Sequence, residues 1–197
     1  MGVFQDSEDK KVVMAYIAVC ILWGSTYLAI KIGVSAFPPM LFAGIRFLVA
    51  GTIMLIYAKI KGHRSPNTFK EVRNISIVGM FLLLGGNGII VWVEQWMHSG
   101  FASLIVATVP LFMAIIDLAI NGSKSINAKG WIGLLIGFGG VAVLVLSNTG
   151  TGAIDIKGAV LVLIAAFSWA LGSVYSKGIN PVSSTITQIG IQMVSGG

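Results

Sequence analysis

Polar and apolar positions along this chain do not alternate. They segregate into long blocks. Nearly uncharged apolar runs cover residues 12–30, 40–58, 75–93, 101–120, 130–146 and 158–176. Each is close to the roughly 20 residues an α-helix needs to cross a bilayer core. A further run begins near Val182 and continues to Gly197. Backbone polar groups in lipid must be satisfied within their own segment, so these runs predict helices. The expectation is an all-α membrane protein, a polytopic helical bundle of six to seven transmembrane helices. Because the seventh run stops in mid-membrane, the sequence is expected to be a piece of a longer protein.

Composition agrees with the pattern. Hydrophobic residues make up 56% of the chain and charged residues 10%, against about 25% charged in soluble domains. The net charge of +6 does not point to nucleic acid, because the basic residues sit in short connections. Lys10 and Lys11 precede the first run, and the 59–74 connection alone holds Lys59, Lys61, Arg64, Lys70 and Arg73. Basic loops stay on the cytoplasmic side, so the N-terminus is assigned to the cytoplasm. The expected membrane is a plasma membrane, the inner membrane of a bacterium. Residues 1–11 form a cytoplasmic N-terminal segment with no signal-peptide pattern. The 59–74 connection is expected to be a basic loop with room for a turn of surface helix. Cys20, the one cysteine, is expected to pack inside the first helix.

Two stretches repeat. Gly24-Ser25-Thr26-Tyr27 matches Gly172-Ser173-Val174-Tyr175, with Trp23 and Trp169 just before them. Lys31 then aligns with Lys177, and the stretch from Gly44 to Gly51 aligns with that from Gly190 to Gly197. The copies lie about 146–148 residues apart, which is five spans with their loops. An odd number of spans inverts the second copy in the membrane, an architecture that recurs in transporters. The expected division is a first repeat at 12–148 and the start of a second at 157–197.

The residues that carry this repeat also resemble a known family. Trp23-Gly24-Ser25-Thr26-Tyr27, Pro38-Pro39, Arg46-Phe47, the stretch from Glu94-Gln95 through Ala107-Thr108-Val109-Pro110-Leu111-Phe112, and Phe167-Ser168-Trp169-Ala170-Leu171-Gly172-Ser173 are similar to EamA-type proteins of the drug/metabolite transporter superfamily. The resemblance implies ten helices in two inverted five-helix repeats (5+5) around a central solute cavity. It also implies coupling to an ion gradient, such as protons, or to exchange, with many members exporting amino acids or other metabolites.

Several residues are candidates for the solute pathway. Arg46 lies inside the second run, where a charge is costly unless paired or hydrated; it reads either as an anion contact in the cavity or as a structural ion pair. Glu94 closes the third run at a similar depth. A solvated loop carboxylate is favoured for it, over a partner of Arg46 or a proton carrier. Asn87, among glycines, suits either cavity lining or helix packing. Pro110 should kink the fourth run and free the Val106 carbonyl, with Thr108 beside it. Trp23 and Tyr27 share a helical face and are read as cavity lining; Trp169, Ser173 and Tyr175 are their counterparts in the second copy. Asp117 is read as the partner of a loop lysine, and Gly133, Gly137 and Gly140 as a helix-packing stripe.

The chain has no G-x-x-x-x-G-K-[ST] and no H-E-x-x-H, and His63 and His98 lie in separate loops. No cofactor, metal or enzymatic reaction is expected. The expected partners are a small-molecule substrate and the lipid bilayer, with no nucleic acid. The expected function is secondary transport by alternating access. A membrane-embedded enzyme on lipid-linked substrates and a non-transporting scaffold are the alternatives.

Overall fold

The computed structural model describes residues 7–121, 128–147 and 155–197. Helices α1 (Ser7–Ala36) and α2 (Pro39–Ile60) come first. The third span is composite: α3 (Phe69–Gly79), a π-helical stretch (Met80–Gly88) and α4 (Ile89–Val93). The fourth is split into α5 (Ser99–Val106) and α6 (Val109–Asn121), followed by α7 (Ala128–Ser147), α8 (Ile156–Lys177) and α9 (Thr185–Gly196). Among the described residues, five stretches are long and apolar enough to cross a membrane: Lys10–Ala36, Pro39–Ile60, Phe69–Val93, Ser99–Ile120 and Ile156–Lys177. Helix α7, with 20 residues, also has a spanning length. The molecule is therefore an all-α polytopic membrane protein.

Local chemistry explains the helix ends. Pro39 is the first residue of α2, where its missing N–H costs nothing and its fixed φ suits the helix. Thr68 caps α3 by accepting from the Glu71 N–H at 3.2 Å, so the helix begins earlier than hydropathy indicates. Lys70 and Arg73 ride on its first turns, and the basic loop is correspondingly short. Asp155 caps α8 by accepting from the Gly158 N–H at 3.0 Å. The fourth span breaks at Ala107–Thr108, just ahead of Pro110. There the buried Thr108 hydroxyl donates to the Ile105 carbonyl at 2.7 Å, satisfying one acceptor at the break.

Helix α8 forms the centre. It packs against the π-helical stretch and against α4, α5 and α6. Helix α9 packs on α2 and α3, at a separation that only glycine permits. A Cβ on Gly51 would lie 2.7 Å from Met193 Cβ and 2.9 Å from the Gly190 oxygen. A Cβ on Gly44 would lie 3.1 Å from the Gly197 oxygen. Gly44 meets Gly197 while Gly51 meets Gly190, so the two helices run antiparallel. Helix α1 lies at the edge, touching α2, α4 and α5.

At one end of the bundle, the loop before α3 is tied to the loop before α9. The Glu71 carboxylate is buried and accepts from the Ser183 N–H at 2.9 Å, the Ser183 hydroxyl at 2.7 Å and the Asn67 N–H at 3.1 Å. The Arg64 carbonyl accepts from the Ser184 N–H at 3.0 Å and the Thr187 hydroxyl at 3.1 Å.

Two expectations fail on packing. Cys20 is exposed on α1 rather than buried, because α1 touches the bundle along one narrow face. Gly133, Gly137 and Gly140 meet no neighbour within 4 Å of an added Cβ, since α7 packs sparsely, on α5 and α6, among the described residues. The stripe does not pack a helix among the described residues.

Candidate solute cavity

Arg46 lies seven residues into α2, about 10 Å along the helix axis. Its guanidinium carbon sits 4.6 Å from the ring centroid of Phe47 and 5.8 Å from that of Phe42. Such cation–π contacts offset part of the cost of holding a cation away from water. They satisfy none of its N–H groups, and its Nε is buried without a hydrogen-bond partner.

Asn87 comes from the π-helical stretch, whose looser winding re-aims side chains relative to a regular α-helix. Its amide makes no hydrogen bond with a described residue. A glycine next to it, Gly86, lets Trp169 of α8 approach: a Cβ there would lie 3.0 Å from the indole. Trp169 in turn meets Trp23 of α1, with ring centroids 5.6 Å apart and planes tilted by 55°. The two tryptophans that precede the matched sequence motifs are thus in contact.

These side chains surround one cavity of about 320 Å³. Its walls include Trp23, Thr26, Arg46, Phe47, Asn87, Trp169 and Met193, drawn from five segments of the bundle. The volume falls in the range of small-molecule sites, and the make-up is typical of them: apolar and aromatic walls with a few convergent polar groups. A guanidinium with unspent donors beside a carboxamide can hold a carboxylate or another planar anion. The tryptophan pair offers an apolar face to the rest of the solute.

Of the sequence candidates, Trp23, Arg46, Asn87 and Trp169 line this cavity. Thr108 and Pro110 do not. They border a second cavity of about 330 Å³ against α7, with Gly133 and Gly137. Pro110 also borders a third, with Asp117 and Lys177. Ser173 and Tyr175 lie further along α8, and Tyr175 is exposed. The side chain of Tyr27 falls outside the described residues. Glu94 is not in the cavity wall and is not a solvated loop carboxylate either: it is 0% exposed. Helix packing closes over the end of α4, and Lys31 reaches across to donate to the Glu94 carbonyl at 2.5 Å and to the Met97 carbonyl at 3.3 Å.

Thr26, Ala50 and Ile90 are wall residues that the sequence candidates omitted. A signal existed, since each lies three or four residues from a named one and so shares its helical face. Met193 carried no such signal, because only the α2–α9 contact brings it there.

A bundle of spanning helices that encloses a cavity of about 320 Å³, with Arg46 and Asn87 in its wall, defines an integral membrane protein with room for a small molecule. Comparison with known proteins makes the class specific. Residues 10–146 match the EamA-like transporter family, and the chain belongs to that family. It is 40% identical over 162 residues to the "Uncharacterized inner membrane transporter YedA" of Escherichia coli K12, covering 82% of this chain and 51% of that one. It is 33% identical over 177 residues to the "Uncharacterized transporter YvbV" of Bacillus subtilis, covering 89% and 57%. It is 29% identical over 160 residues to the "Probable amino-acid metabolite efflux pump" of Salmonella typhimurium, covering 81% and 51%. The chain thus spans about half the length of these curated relatives. No solved structure matches it.

Proposed function

We propose that the protein is a secondary transporter of small organic solutes, working by alternating access between two inverted repeats. The first repeat occupies residues 12–148 and the second opens at 157–197. The observation that carries this reading is the cavity walled by Trp23, Arg46, Asn87 and Trp169, which draws on both stretches. The glycine contacts between α2 and α9 support the repeat. The sequence aligns Gly44 with Gly190 and Gly51 with Gly197, and each glycine touches the partner of the other. Such reciprocity is what a two-fold relation between two copies produces.

The solute carries an anionic group, for which Arg46 is the contact, and an apolar or aromatic body that rests on the tryptophans. Amino acids and related carboxylate metabolites have this chemistry. One relative is named as an amino-acid metabolite efflux pump, which supports the same class. Movement is driven by a proton gradient or by exchange. The basic connection before α3 lies in the cytoplasm, with the N-terminus, and the membrane is a bacterial inner membrane. The chain acts as a carrier and not as an enzyme.

The test is counterflow in proteoliposomes containing the full-length protein. Preloaded unlabelled amino acids should accelerate entry of the labelled ones, and entry should saturate. Entry that is unsaturable and indifferent to both gradient and internal solute would make the protein a pore instead.

A further inference from the structure

Two buried carboxylates in this molecule are handled in opposite ways. Glu71 accepts hydrogen bonds from Ser183 and Asn67, as a structural carboxylate should. Glu94 is more deeply buried, at 0% exposed, and neither of its carboxylate oxygens has a hydrogen-bond partner. It stands one residue beyond the apolar span Phe69–Val93.

Two cations act on Glu94, Lys31 from α1 and Arg46 from α2. Neither gives it a hydrogen bond. Lys31 directs its ammonium at the backbone carbonyls of Glu94 and Met97, which also satisfies acceptors left over at the end of α4. Arg46 rests on phenyl rings. Among the described residues, the other elements nearby supply no further charge to it. The adjoining cluster from α5 and α8 is apolar, with Val93, Met97, Ala102 and Val162. His98 is exposed, and Asp155 is held by the Trp96 indole at 2.6 Å and by the Gly158 N–H. A buried carboxylate without hydrogen bonds is costly and is relieved by moving to a partner or by taking up a proton.

We propose that Glu94 is a reversible proton-binding site that couples solute movement to a proton gradient by sharing Arg46 with the solute. This rests on the carrier reading above. When a solute carboxylate engages Arg46, two anions draw on one guanidinium, with Glu94 fully buried and Arg46 partly so. Their repulsion is removed when a Glu94 oxygen forms an O–H bond with one proton taken from water. When the solute leaves on the far side, that bond breaks and the proton returns to water there. Solute and proton therefore travel together, one for one.

Two measurements on the full-length protein test this. The first needs no solute: infrared difference spectra across about pH 4–9. Wild type should show the carbonyl stretch of a protonated carboxyl that Glu94→Gln lacks. Identical spectra for the two would overturn the proposal. The second uses proteoliposomes and labelled amino acids. Glu94→Gln should keep counterflow but lose accumulation driven by an inward-directed proton gradient, and Glu94→Asp should keep both. Gradient-driven accumulation by Glu94→Gln at the wild-type level would overturn the proposal. So would loss of counterflow in both variants, which would make Glu94 a packing residue. If wild type itself shows no counterflow, the carrier reading fails, and the infrared titration still decides whether Glu94 binds a proton.

Discussion

Arg46 is held by two phenyl rings, with its Nε unpaired, beside a cavity that also presents Asn87. A charge-assisted contact to a solute carboxylate is worth about 1.5–3 kcal/mol. Arg46→Ala should therefore weaken solute binding by roughly 10- to 100-fold while the protein still inserts. Competition counterflow reads the affinity, and the yield of monodisperse protein reads insertion. Unchanged affinity would remove Arg46 from the site. Arg46→Lys should be nearly as damaging, because an ammonium lacks the planar fork that grips a carboxylate in two places. Arg46 and Asn87 stood out in the sequence, since polar groups inside apolar runs are rare and conspicuous. Glu94 stood out as well, but its burial did not. Hydropathy places it at the edge of a run, and only the closure of neighbouring helices over the end of α4 takes it out of water.

At the scale of elements, α2 and α9 approach through Gly51 and Gly190. A larger residue at Gly51 would strike Met193 and the Gly190 backbone, and backbone cannot move aside as a flexible side chain does. Gly51→Val should lower stability by about 1–3 kcal/mol, seen as a fall in the thermal midpoint of the purified protein. No shift would mean the contact is not maintained. The Glu71 clasp predicts a different behaviour. It ties the loop before α3 to the loop before α9 through Ser183, next to the Arg64–Ser184 contact. Glu71→Ala should loosen that end of the bundle, so that Ser184→Cys, in a Cys20→Ala background, reacts faster with a maleimide. Equal rates would show that Glu71 does not hold the loops together. The helices themselves were legible from hydropathy. The early start of α3 was not, because it depends on the Thr68 cap rather than on an apolar residue. The π-helical winding around Asn87 was also invisible, since its glycines fit an ordinary helix equally well.

At the scale of the molecule, Trp23 and Trp169 meet in the cavity wall, 5.6 Å between centroids. They sit on α1 and α8, in the two stretches read as inverted copies. Alternating access requires these helices to move relative to one another. A reducible cross-link between Trp23→Cys and Trp169→Cys, again without Cys20, should stop the counterflow that the reduced double variant retains at a lowered level, since both indoles line the cavity. Transport that continues through a cross-linked pair would place the moving parts elsewhere.

The sequence by itself determined that this is a helical membrane protein, and it marked most of the polar residues that matter. Those properties are local: an apolar run of spanning length has only one way to satisfy its backbone in lipid, and a polar residue inside it stands out against that background. The tertiary structure decided which of those residues share a space. It joined Trp23, Arg46, Asn87 and Trp169 in one cavity, sent Thr108 and Pro110 to another, and buried Glu94. These outcomes depend on how closely helices distant in sequence approach and turn about their axes, and that is set by packing at Gly51, Gly86 and Gly190 rather than by the hydropathy of any single run.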